Sequence, residues 1–395
     1  MRALLTTHQK QRVLTGILER AVASLELTPA QRKSIEETYR ECGEYLGESL
    51  GYSAHLADIF AQGSMRLGTV IRPFRDITDV FDLDVVFLIA LLSTSGDPET
   101  LRSAVGKRLQ AKYNGALKPL AKGWRLDFSA ERDYYLDIIP AMNSPRGGNV
   151  IAITDGAGWR DSNPRDYAIG FELAAAELPR YEGEVMLEKF SALANSARIE
   201  PLPEYTPFKS PLLRIVQISK RYRDYYFNKK IRQPALLPAS IIITTLLMKA
   251  YARKVHARVY ESGFDLLLSC VEDMPAHLDM KESGKGHNVY VLPNPSLPSE
   301  NLVEKWSDPK YAEAFFRWHR DYMNFLHALL QPEGAPRQLL SEALGAKAIN
   351  VAFAHHADNL SAARRSGVLS VESGIGLTLG TKGTVSSVHT IHGAP

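Results

Sequence analysis

Residues 62–87 have the sequence QGSMRLGTVIRPFRDITDVFDLDVVF, and this stretch decides the fold because a Gly-Ser turn leads into an apolar strand that carries two carboxylates. Successive side chains of a β-strand point to opposite faces, so Asp82 and Asp84 project together while Leu83 faces the other way. The apolar run continues to Ala90, as expected for a strand that is covered on both faces. Two carboxylates that share a face can share a divalent metal ion.

This pair of carboxylates is the first feature that points to chemistry. Like charges repel and burial disfavours ionisation, so such a pair is costly unless cations neutralise it. Mg²⁺ suits that role because it takes oxygen ligands, keeps several waters and is usually completed by substrate phosphates. The alternative is a solvated pair at the end of a strand, since the D-x-D pattern alone is common.

The Gly63-Ser64 pair favours the metal-dependent interpretation. Glycine lets the backbone approach a phosphate closely, and Ser64 is predicted to cap the following helix and to offer its hydroxyl and nearby N–H groups to an anion. An ordinary N-cap would explain Ser64 taken alone, but it would not explain the combination of a Gly-Ser pair with a following D-x-D. Together these residues predict a metal-dependent nucleotide site.

A third carboxylate is expected from residues 124–142, WRLDFSAERDYYLDIIPAM, which predict two strands joined by a short turn. Asp137 lies inside an apolar run that would bury it, and a buried acid needs a partner. A metal ion held by the first two carboxylates is such a partner. Asp127 on the preceding strand is the competing candidate, and Asp137 is preferred because its neighbours in sequence are more apolar.

The motifs GS, DLD and LDIIPA together resemble the nucleotidyltransferase superfamily that includes DNA polymerase β. They resemble more specifically the bacterial relatives of cyclic GMP-AMP synthase, the CD-NTases of CBASS anti-phage signalling. Three later segments, LLRIVQISKRYRDYY, ASIIITTLLMKAY and NPSLPSENLVEKW, resemble the C-terminal lobe of that family. The resemblance covers roughly residues 55–330.

This resemblance implies an α/β (α+β) fold, with a polymerase-β-like nucleotidyltransferase lobe built on a mixed sheet and a helical C-terminal lobe. The expected ranges are residues 1–160 for the catalytic lobe with N-terminal helices, 161–366 for the helical lobe and 367–395 for a flexible or loosely packed tail. It also implies that two Mg²⁺ ions, which Mn²⁺ can replace, bind the catalytic residues Asp82, Asp84 and Asp137. The nucleotide-binding residues that it implies are Gln62, Gly63, Ser64, Lys220 and Ser240.

Two of these nucleotide-binding residues lie in the second half of the chain. Residues 212–232 form its most cationic segment, and a lysine is a flexible point charge well suited to a triphosphate. By resemblance Lys220 contacts the phosphates of the donor nucleotide. A solvated basic face is the alternative, and it is weighed equally for Arg223, Lys229 and Lys230. Ser240 is predicted as the N-cap of the next helix, and the resemblance adds a phosphate-binding role.

Other stretches predict secondary structure without assigning chemistry. Helices are expected over residues 8–50, as a pair broken at Thr28-Pro29, and over residues 97–113, 166–193 and 339–365. Residues 147–166 are rich in Gly, Asn, Asp and Pro and predict a loop region between the lobes. Two aromatic residues near it could either stack a base or pack in the core, namely Trp159 and Tyr167.

Length and composition fit a soluble enzyme. A chain of 395 residues with 45% hydrophobic residues can bury a large core. Two cysteines cannot make a disulfide framework, and no segment is typical of a signal peptide or membrane span, so the cytoplasm is the expected compartment. A net charge of +3 is too small to indicate bulk nucleic-acid binding, and neither a membrane partner nor a nucleic-acid activator is expected.

These observations predict a nucleotidyltransferase that makes a cyclic di- or trinucleotide second messenger from nucleoside triphosphates and releases pyrophosphate. ATP, GTP or both are the expected substrates, and CBASS accessory proteins are the expected partners by resemblance. One alternative is a template-independent enzyme that extends RNA. Another is an inactive scaffold of the same fold, which the presence of all three carboxylates disfavours.

Overall fold

The structure is a computed structural model, which describes residues 6–53, 55–74, 80–156, 158–182, 209–282, 288–331, 335–365, 369–372, 376–379 and 384–385. These residues form a lobe built on a mixed β-sheet and a second lobe built mainly of helices, with a cavity between them. The predicted combination of a mixed sheet with a helical C-terminal lobe is confirmed. The predicted boundaries of the lobes remain a prediction.

Seven strands form the sheet of the first lobe, and they are β1 Ala57–Gln62, β2 Phe81–Leu92, β3 Leu117–Leu120, β4 Gly123–Phe128, β5 Tyr134–Asn143, β6 Ile151–Asp155 and β7 Gly158–Ser162. The order is β1-β2-β5-β4-β3, while β6 pairs with both β5 and β7. The central strands β2 and β5 run parallel, and the other pairs are antiparallel. The sheet is therefore mixed, as predicted.

The helices that precede or interrupt this sheet are α1 Thr7–Ala23, α2 Pro29–Ser49, α3 Gly63–Arg66, α4 Pro98–Lys112 and α5 Ser129–Arg132. The predicted pair of N-terminal helices is confirmed. Thr28 caps α2 by accepting a hydrogen bond from the backbone N–H of Gln31, and Pro29 holds the first helical position. The side chain of Asp97 caps α4 in the same way.

Strand β2 is covered on both faces because its two sets of side chains pack against different layers. The odd-numbered side chains from Phe81 to Ile89 belong to one core with α2 and α4. Val86 and Leu88, on the other face, pack against β6. The first two even-numbered side chains of the strand are Asp82 and Asp84, which face the cavity between the lobes.

The second lobe contains the helices α6 Pro164–Ala176, α7 Pro211–Asp224, α8 Ser240–Lys254, α9 Gly263–Asp273, α10 Pro309–Leu330, α11 Pro336–Leu344 and α12 Ala346–Arg365. A π-helical turn over Tyr225–Lys230 extends α7. The apolar face of α1 joins the core of this lobe through Leu14, Ile17 and Leu18. The N-terminal helix therefore contributes to the helical lobe, although it comes first in the chain.

Short strands complete the description, namely β8 Arg180–Tyr181, β9 Val259–Tyr260, β10 Asp279–Glu282, β11 Asn288–Val291, β12 Pro293–Asn294, β13 Leu297–Asn301, β14 Leu369–Glu372, β15 Gly376–Leu379 and β16 Thr384–Val385. The last three form one small sheet, and the rest of the predicted tail lies outside the described residues. Over the part of the chain that is described, no helix has the length and apolar character needed to cross a membrane.

Three predictions about secondary structure are wrong in part. Residues 147–166 were expected to form a loop region, but they contain the strands β6 and β7. The helix expected over residues 166–193 ends at Ala176, and residues 183–193 lie outside the described residues. The single helix expected over residues 339–365 is two helices. Gly345 between them has a positive φ of 102°, which is incompatible with a right-handed α-helix.

Candidate active site

The pairing of four strands brings four polar side chains into one row. Gln62 pairs with Asp84 across β1 and β2, Asp84 pairs with Asp137 across β2 and β5, and Asp137 pairs with Arg125 across β5 and β4. Asp82 lies on the same face, two residues before Asp84. The structure therefore brings together the three predicted carboxylates, together with an arginine that the sequence analysis did not single out.

Arg125 links two of the three carboxylates. Its Nε and Nη2 donate to the two oxygens of Asp137 at 2.7 Å each, and Nη2 also donates to Oδ1 of Asp82 at 2.7 Å. Its guanidinium lies 4.6 Å from the centre of the Tyr135 ring. The hydrogen bonds to Asp137, together with the nearby negative charges, raise the pKa of Arg125, so the group stays positively charged. Asp137 is only 8% exposed beneath it.

Asp84 is the carboxylate whose ionisation is least favoured. Burial raises its pKa to about 7, and the charges of Asp137 and Asp82 act in the same direction. Arg125 and Lys220 act in the opposite direction but do not offset those effects. Asp84 lines the cavity and therefore stands where a further cation would stabilise its charged form.

The carboxylates fit a divalent cation by their chemistry. Three carboxylates, whose oxygens are the donors that Mg²⁺ prefers, lie on one face of the sheet. Burial and the two neighbouring carboxylates raise the pKa of Asp84, so a bound cation would stabilise its charged form. As the side chains stand, no three acidic, histidine or cysteine residues among those described converge closely enough to hold a metal ion. The guanidinium of Arg125 instead spans Asp82 and Asp137.

The Gly-Ser turn forms part of the same site, but its local structure differs from the prediction. Helix α3 begins at Gly63 with Gln62 as its N-cap residue, so the prediction that Ser64 is the N-cap is wrong. Gly63 has a φ of 56°, a conformation that favours glycine. A Cβ atom there would lie 3.2 Å from Oδ2 of Asp84. The glycine thus leaves open the approach to the carboxylate.

A cavity of about 620 Å³ lies between the lobes, within the range of small-molecule sites. The sheet lobe and the helical lobe both contribute predicted site residues to its walls, and these are Gln62, Gly63, Ser64, Asp82, Asp84, Lys220 and Ser240. Asp137 does not line the cavity, because its carboxylate lies under Arg125. Tyr167 also lines it, although its ring is mostly buried and its hydroxyl bonds to Thr245 at 2.8 Å.

Lys220 is a buried cation in the wall of this cavity. The residue is 7% exposed, and its Nζ donates to the carbonyl oxygen of Thr69 at 3.1 Å. Burial, assisted by the charge of Arg223, lowers the pKa of Lys220 to about 8. The alternative of a solvated basic face is therefore wrong for Lys220. It is also wrong for Arg223, which is 5% exposed.

Arg223 explains the position of Ser240. Its guanidinium bonds to Oδ1 of Asp224 at 2.6 and 3.0 Å, and its Nη1 donates to Oγ of Ser240 at 2.9 Å. Helix α8 starts at Ser240, with Ala239 as the N-cap residue, so the predicted N-cap is wrong by one position. The hydroxyl of Ser240 is thus held by Arg223 at the cavity wall.

Side chains of the helical lobe also bond to the backbone of the loop that follows the Gly-Ser turn. We call these contacts the carbonyl ladder, and their distances run from 2.5 to 3.5 Å. The pairs are Lys209 with Gly68, Lys220 with Thr69, Gln217 with Val70, Arg221 with Arg72 and Asn228 with Phe74. The ladder fastens one wall of the cavity to the other.

A buried carboxylate supports this ladder. Glu26, in the connection between α1 and α2, bonds to Lys209 at 2.8 Å, to Arg214 at 2.7 Å and to Gln217 at 2.7 Å. A buried cation needs a partner, and Glu26 serves two of them. Trp159, the other aromatic candidate, packs beside the core of the sheet lobe and donates from Nε1 to the carbonyl of Gly96 at 3.0 Å.

The comparisons with known proteins agree with this geometry. Residues 15–172 match the domain model described as the Second Messenger Oligonucleotide or Dinucleotide Synthetase domain, SMODS. A protein of Roseivirga ehrenbergii named c-di-GMP synthase is 29% identical over 332 residues, which are 82% of this chain and 80% of that protein. The matched domain contains the Gly-Ser turn and all three carboxylates.

The fold is shared with solved structures of low sequence identity. The CD-NTase CdnG of Bradyrhizobium diazoefficiens in complex with GTP has a TM-score of 0.63 and 18% identity, and the match covers 87% of this chain and 99% of CdnG. CdnC of Escherichia coli MS115-1 with ATP has a TM-score of 0.58 and 14% identity, covering 84% and 97%. DncV of Vibrio cholerae in its GTP-bound form has a TM-score of 0.52 and 12% identity, covering 87% and 88%.

The site and the comparisons support the same conclusion. The SMODS match spans the sheet and its carboxylates, and 87% of the chain shares its fold with the CD-NTase CdnG and with DncV. Nucleotidyltransferases of this fold generally depend on a divalent metal ion. Residues 15–172 are therefore assigned to the SMODS domain, and the chain that contains them is similar to a protein named c-di-GMP synthase and has the fold of CD-NTase structures.

Proposed function

We propose that this chain joins two ribonucleoside triphosphates into a cyclic dinucleotide at the cavity between its lobes. The observation that carries the proposal is a row of three carboxylates, two of which line one cavity together with a Gly-Ser turn and a buried lysine. The carboxylates suit a reaction that develops negative charge, and the turn and the lysine suit a triphosphate. No protein nucleophile is needed, because the substrate supplies the attacking hydroxyl.

We assign the metal ions to the three carboxylates. Asp82 and Asp84 would hold two Mg²⁺ ions, with Mn²⁺ as a substitute, and Asp137 would hold the ion nearer the attacking hydroxyl. Divalent cations bound there would lower the pKa of a ribose hydroxyl and neutralise the pyrophosphate as it leaves.

The donor nucleotide would bind by its phosphates to residues from both lobes. Gly63 permits close approach because it has no side chain, and Gln62 and Ser64 offer polar groups beside it. Lys220 faces them from α7 as a positive charge, and Arg223 keeps the hydroxyl of Ser240 at the same wall. The lobes are fastened together by the carbonyl ladder, so these groups keep a fixed spacing.

Two rounds of the same reaction would close the ring. A ribose hydroxyl oxygen forms a bond to the α-phosphorus of the donor, and the bond from that phosphorus to the bridging oxygen breaks and releases pyrophosphate. The hydroxyl proton is lost to solvent. The linear intermediate keeps one 5′-triphosphate, which takes the donor position in the second round and is consumed by ring closure.

GTP is the first substrate to test, because a relative at 29% identity is named c-di-GMP synthase and a structural neighbour was solved with GTP. ATP follows, since another neighbour was solved with it. We place the reaction in the cytoplasm and in CBASS anti-phage signalling. An accessory partner is part of this proposal, because CdnC, with a TM-score of 0.56, was solved in a complex with a HORMA protein.

The decisive experiment uses the protein with the four nucleoside triphosphates, Mg²⁺ or Mn²⁺, and no primer. We expect mass spectrometry to find a cyclic dinucleotide and pyrophosphate. Phosphatase treatment separates the ring from linear products, because a linear product has a 5′-triphosphate to lose whereas a cyclic product has no terminal phosphate. The Asp82→Asn protein serves as the control for contaminating activity.

Other outcomes would favour the alternative functions. Products of growing length that phosphatase shortens, or product formed only on added RNA, would replace the cyclase by an RNA-extending enzyme. Absence of any metal-dependent consumption of nucleotide, over a range of pH and with each cation, would favour an inactive scaffold.

Replacement of Lys220 by alanine is expected to raise the KM for nucleotide by about tenfold or more and to lower kcat less, since a charged hydrogen bond of about 1.5–3 kcal/mol is lost in ground and transition states alike. Steady-state kinetics with the preferred triphosphate measure both constants. Lys230→Ala is the matched control, because Lys230 pairs with Asp321 at the surface and does not line the cavity. A fall in kcat with KM unchanged would instead assign Lys220 to the leaving group.

A further inference from the structure

Arg125 lies where the proposed function needs metal ions. Its position follows from the sheet, since Arg125 is the direct cross-strand partner of Asp137 and Asp137 is the partner of Asp84. The guanidinium forms a two-pronged contact with both oxygens of Asp137 and adds a bond to Asp82, with all three distances at 2.7 Å. Two of the three proposed metal ligands thus already share a positive charge.

The contacts of Arg125 are those of a fixed group. A planar guanidinium that bonds both oxygens of one carboxylate is held in direction as well as distance. Its side chain is 23% exposed, and the ring of Tyr135 lies beneath it. Arg125 supplies one positive charge to a face that holds three carboxyl groups, so the face keeps an excess of acidic groups.

We propose that Arg125 is a built-in counter-cation, which competes with divalent metal for Asp82 and Asp137 and so sets the metal concentration at which the enzyme becomes competent. This inference rests on the proposed function. A metal ion that binds both Asp82 and Asp137 must approach an oxygen of Asp137 that now accepts a hydrogen bond from Arg125, because both of its oxygens do so. It also meets the repulsion of a positive charge at salt-bridge distance.

A different role for Arg125 would change the affinity for metal in the opposite direction. An arginine that merely orients Asp137 toward the metal ions would strengthen metal binding, as partners of metal ligands commonly do. Removal of an orienting group therefore weakens the affinity for metal, whereas removal of a competitor strengthens it. Direct measurement of metal binding, without nucleotide or turnover, separates the two roles.

The experiment compares the wild-type protein with Arg125→Gln and Arg125→Lys. Binding of Mn²⁺ to nucleotide-free protein is followed by the electron paramagnetic resonance signal of free Mn²⁺. We expect Arg125→Gln to bind Mn²⁺ about tenfold or more tightly, because loss of a unit charge a few ångströms from the site is worth at least about 1.4 kcal/mol. Arg125→Lys keeps a charge but cannot form the two-pronged contact, and an intermediate affinity is expected.

A thermal measurement checks that the variants fold. In the presence of a chelator we expect Arg125→Gln to melt at a lower temperature than the wild type, because its carboxylates lose their counter-charge. When Mn²⁺ is added, we expect the melting temperature of Arg125→Gln to rise by more than that of the wild type. Lys118→Gln is the matched control. Lys118 is the cross-strand partner of Arg125 on β3, yet it bonds to Asp127 at 2.6 Å, so its loss should change Mn²⁺ affinity less than about twofold.

Four results would overturn the inference. Weaker Mn²⁺ binding by Arg125→Gln would make Arg125 an orienting residue, and equal binding would show that it does not compete. An equal increase in Mn²⁺ affinity in Lys118→Gln would show that the increase comes from the overall charge of the protein and not from the position of Arg125. If no protein binds Mn²⁺, the metal assignment fails and this inference fails with it, whereas the first two results leave the proposed function standing.

Discussion

Replacement of Asp84 by asparagine is expected to abolish nucleotide transfer while the protein remains folded. The neutral amide cannot hold a divalent cation as the carboxylate would, and loss of about 4 kcal/mol of transition-state stabilisation lowers the rate about a thousandfold. Asp84 faces the cavity near the start of β2 and does not belong to the apolar core of the sheet lobe, so the substitution disturbs no apolar packing. Pyrophosphate release measures the rate, and Asp82→Asn is expected to show a similar loss.

The same substitution should change how the stability of the metal-free protein depends on pH. Burial and the neighbouring carboxylates raise the pKa of Asp84 from 3.8 to about 7 in the folded state. Because the folded protein holds the proton of Asp84 more tightly than the unfolded chain does, protonation of Asp84 favours the folded state. This contribution to the free energy of unfolding is fully present below the pKa of the unfolded chain and is lost as the pH rises through the pKa of the folded protein. Between pH 4 and pH 7, the metal-free wild type should therefore lose thermal stability relative to Asp84→Asn.

Retention of near wild-type turnover by Asp84→Asn with Mg²⁺ would contradict the assignment of Asp84 to the metal ions. Asp127→Asn controls for loss of a carboxylate on the same face of the sheet. Burial alone would raise the pKa of Asp127, but its bonds to Lys118 and Ser129 outweigh that effect and hold the pKa at about 2. Asp127 does not line the cavity, so its replacement should reduce stability and leave turnover unchanged.

Asp137→Asn is expected to remove both bond-forming steps, since each round activates a ribose hydroxyl at the same position. We expect at least about a hundredfold loss of pyrophosphate release and no accumulation of linear dinucleotide. Mass spectrometry of products at early and late times measures both species. The effect should be large even though Asp137 lies outside the cavity wall, because its carboxylate is adjacent to that of Asp84.

The choice between Asp137 and Asp127 as the third ligand is decided by the same assay. Accumulation of a linear dinucleotide by Asp137→Asn would restrict Asp137 to ring closure. Loss of turnover in Asp127→Asn, with Asp137→Asn active, would exchange their roles. The strand register favours Asp137, because it is the cross-strand partner of Asp84, whereas Asp127 is the partner of Tyr135.

Strand β2 was predictable from sequence because its alternation is local. Asp82 and Asp84 follow from a period of two, and burial of both faces follows from an unbroken apolar run. The neighbour of Asp84 in the sheet was not predictable in the same way, since register depends on pairing between distant strands. Arg125 was missed for this reason, although alternation along its strand does place it on the face of Asp127.

The N-caps at Ser64 and Ser240 were mispredicted, and the solvated face kept as an alternative for Arg223 is wrong, because tertiary contacts decide these positions. Ser240 has the residue type of an N-cap, yet its hydroxyl bonds to Arg223, and the helix begins at Ser240 itself. A segment as basic as α7 usually indicates a solvated face. Here the basic side chains donate hydrogen bonds to backbone carbonyls of a distant loop, and the sequence of α7 alone does not predict these contacts.

The carbonyl ladder has a consequence for how this enzyme can diverge. Every residue has a backbone carbonyl, so a loop recognised only through its carbonyls can exchange its side chains without losing those contacts. The donors have no such freedom, because Lys209, Gln217 and Asn228 differ in length and in the number of N–H groups they offer. Substitutions should therefore accumulate in the loop over residues 68–74 sooner than at the donor positions. The cavity wall can then keep its shape while the side chains of the loop change.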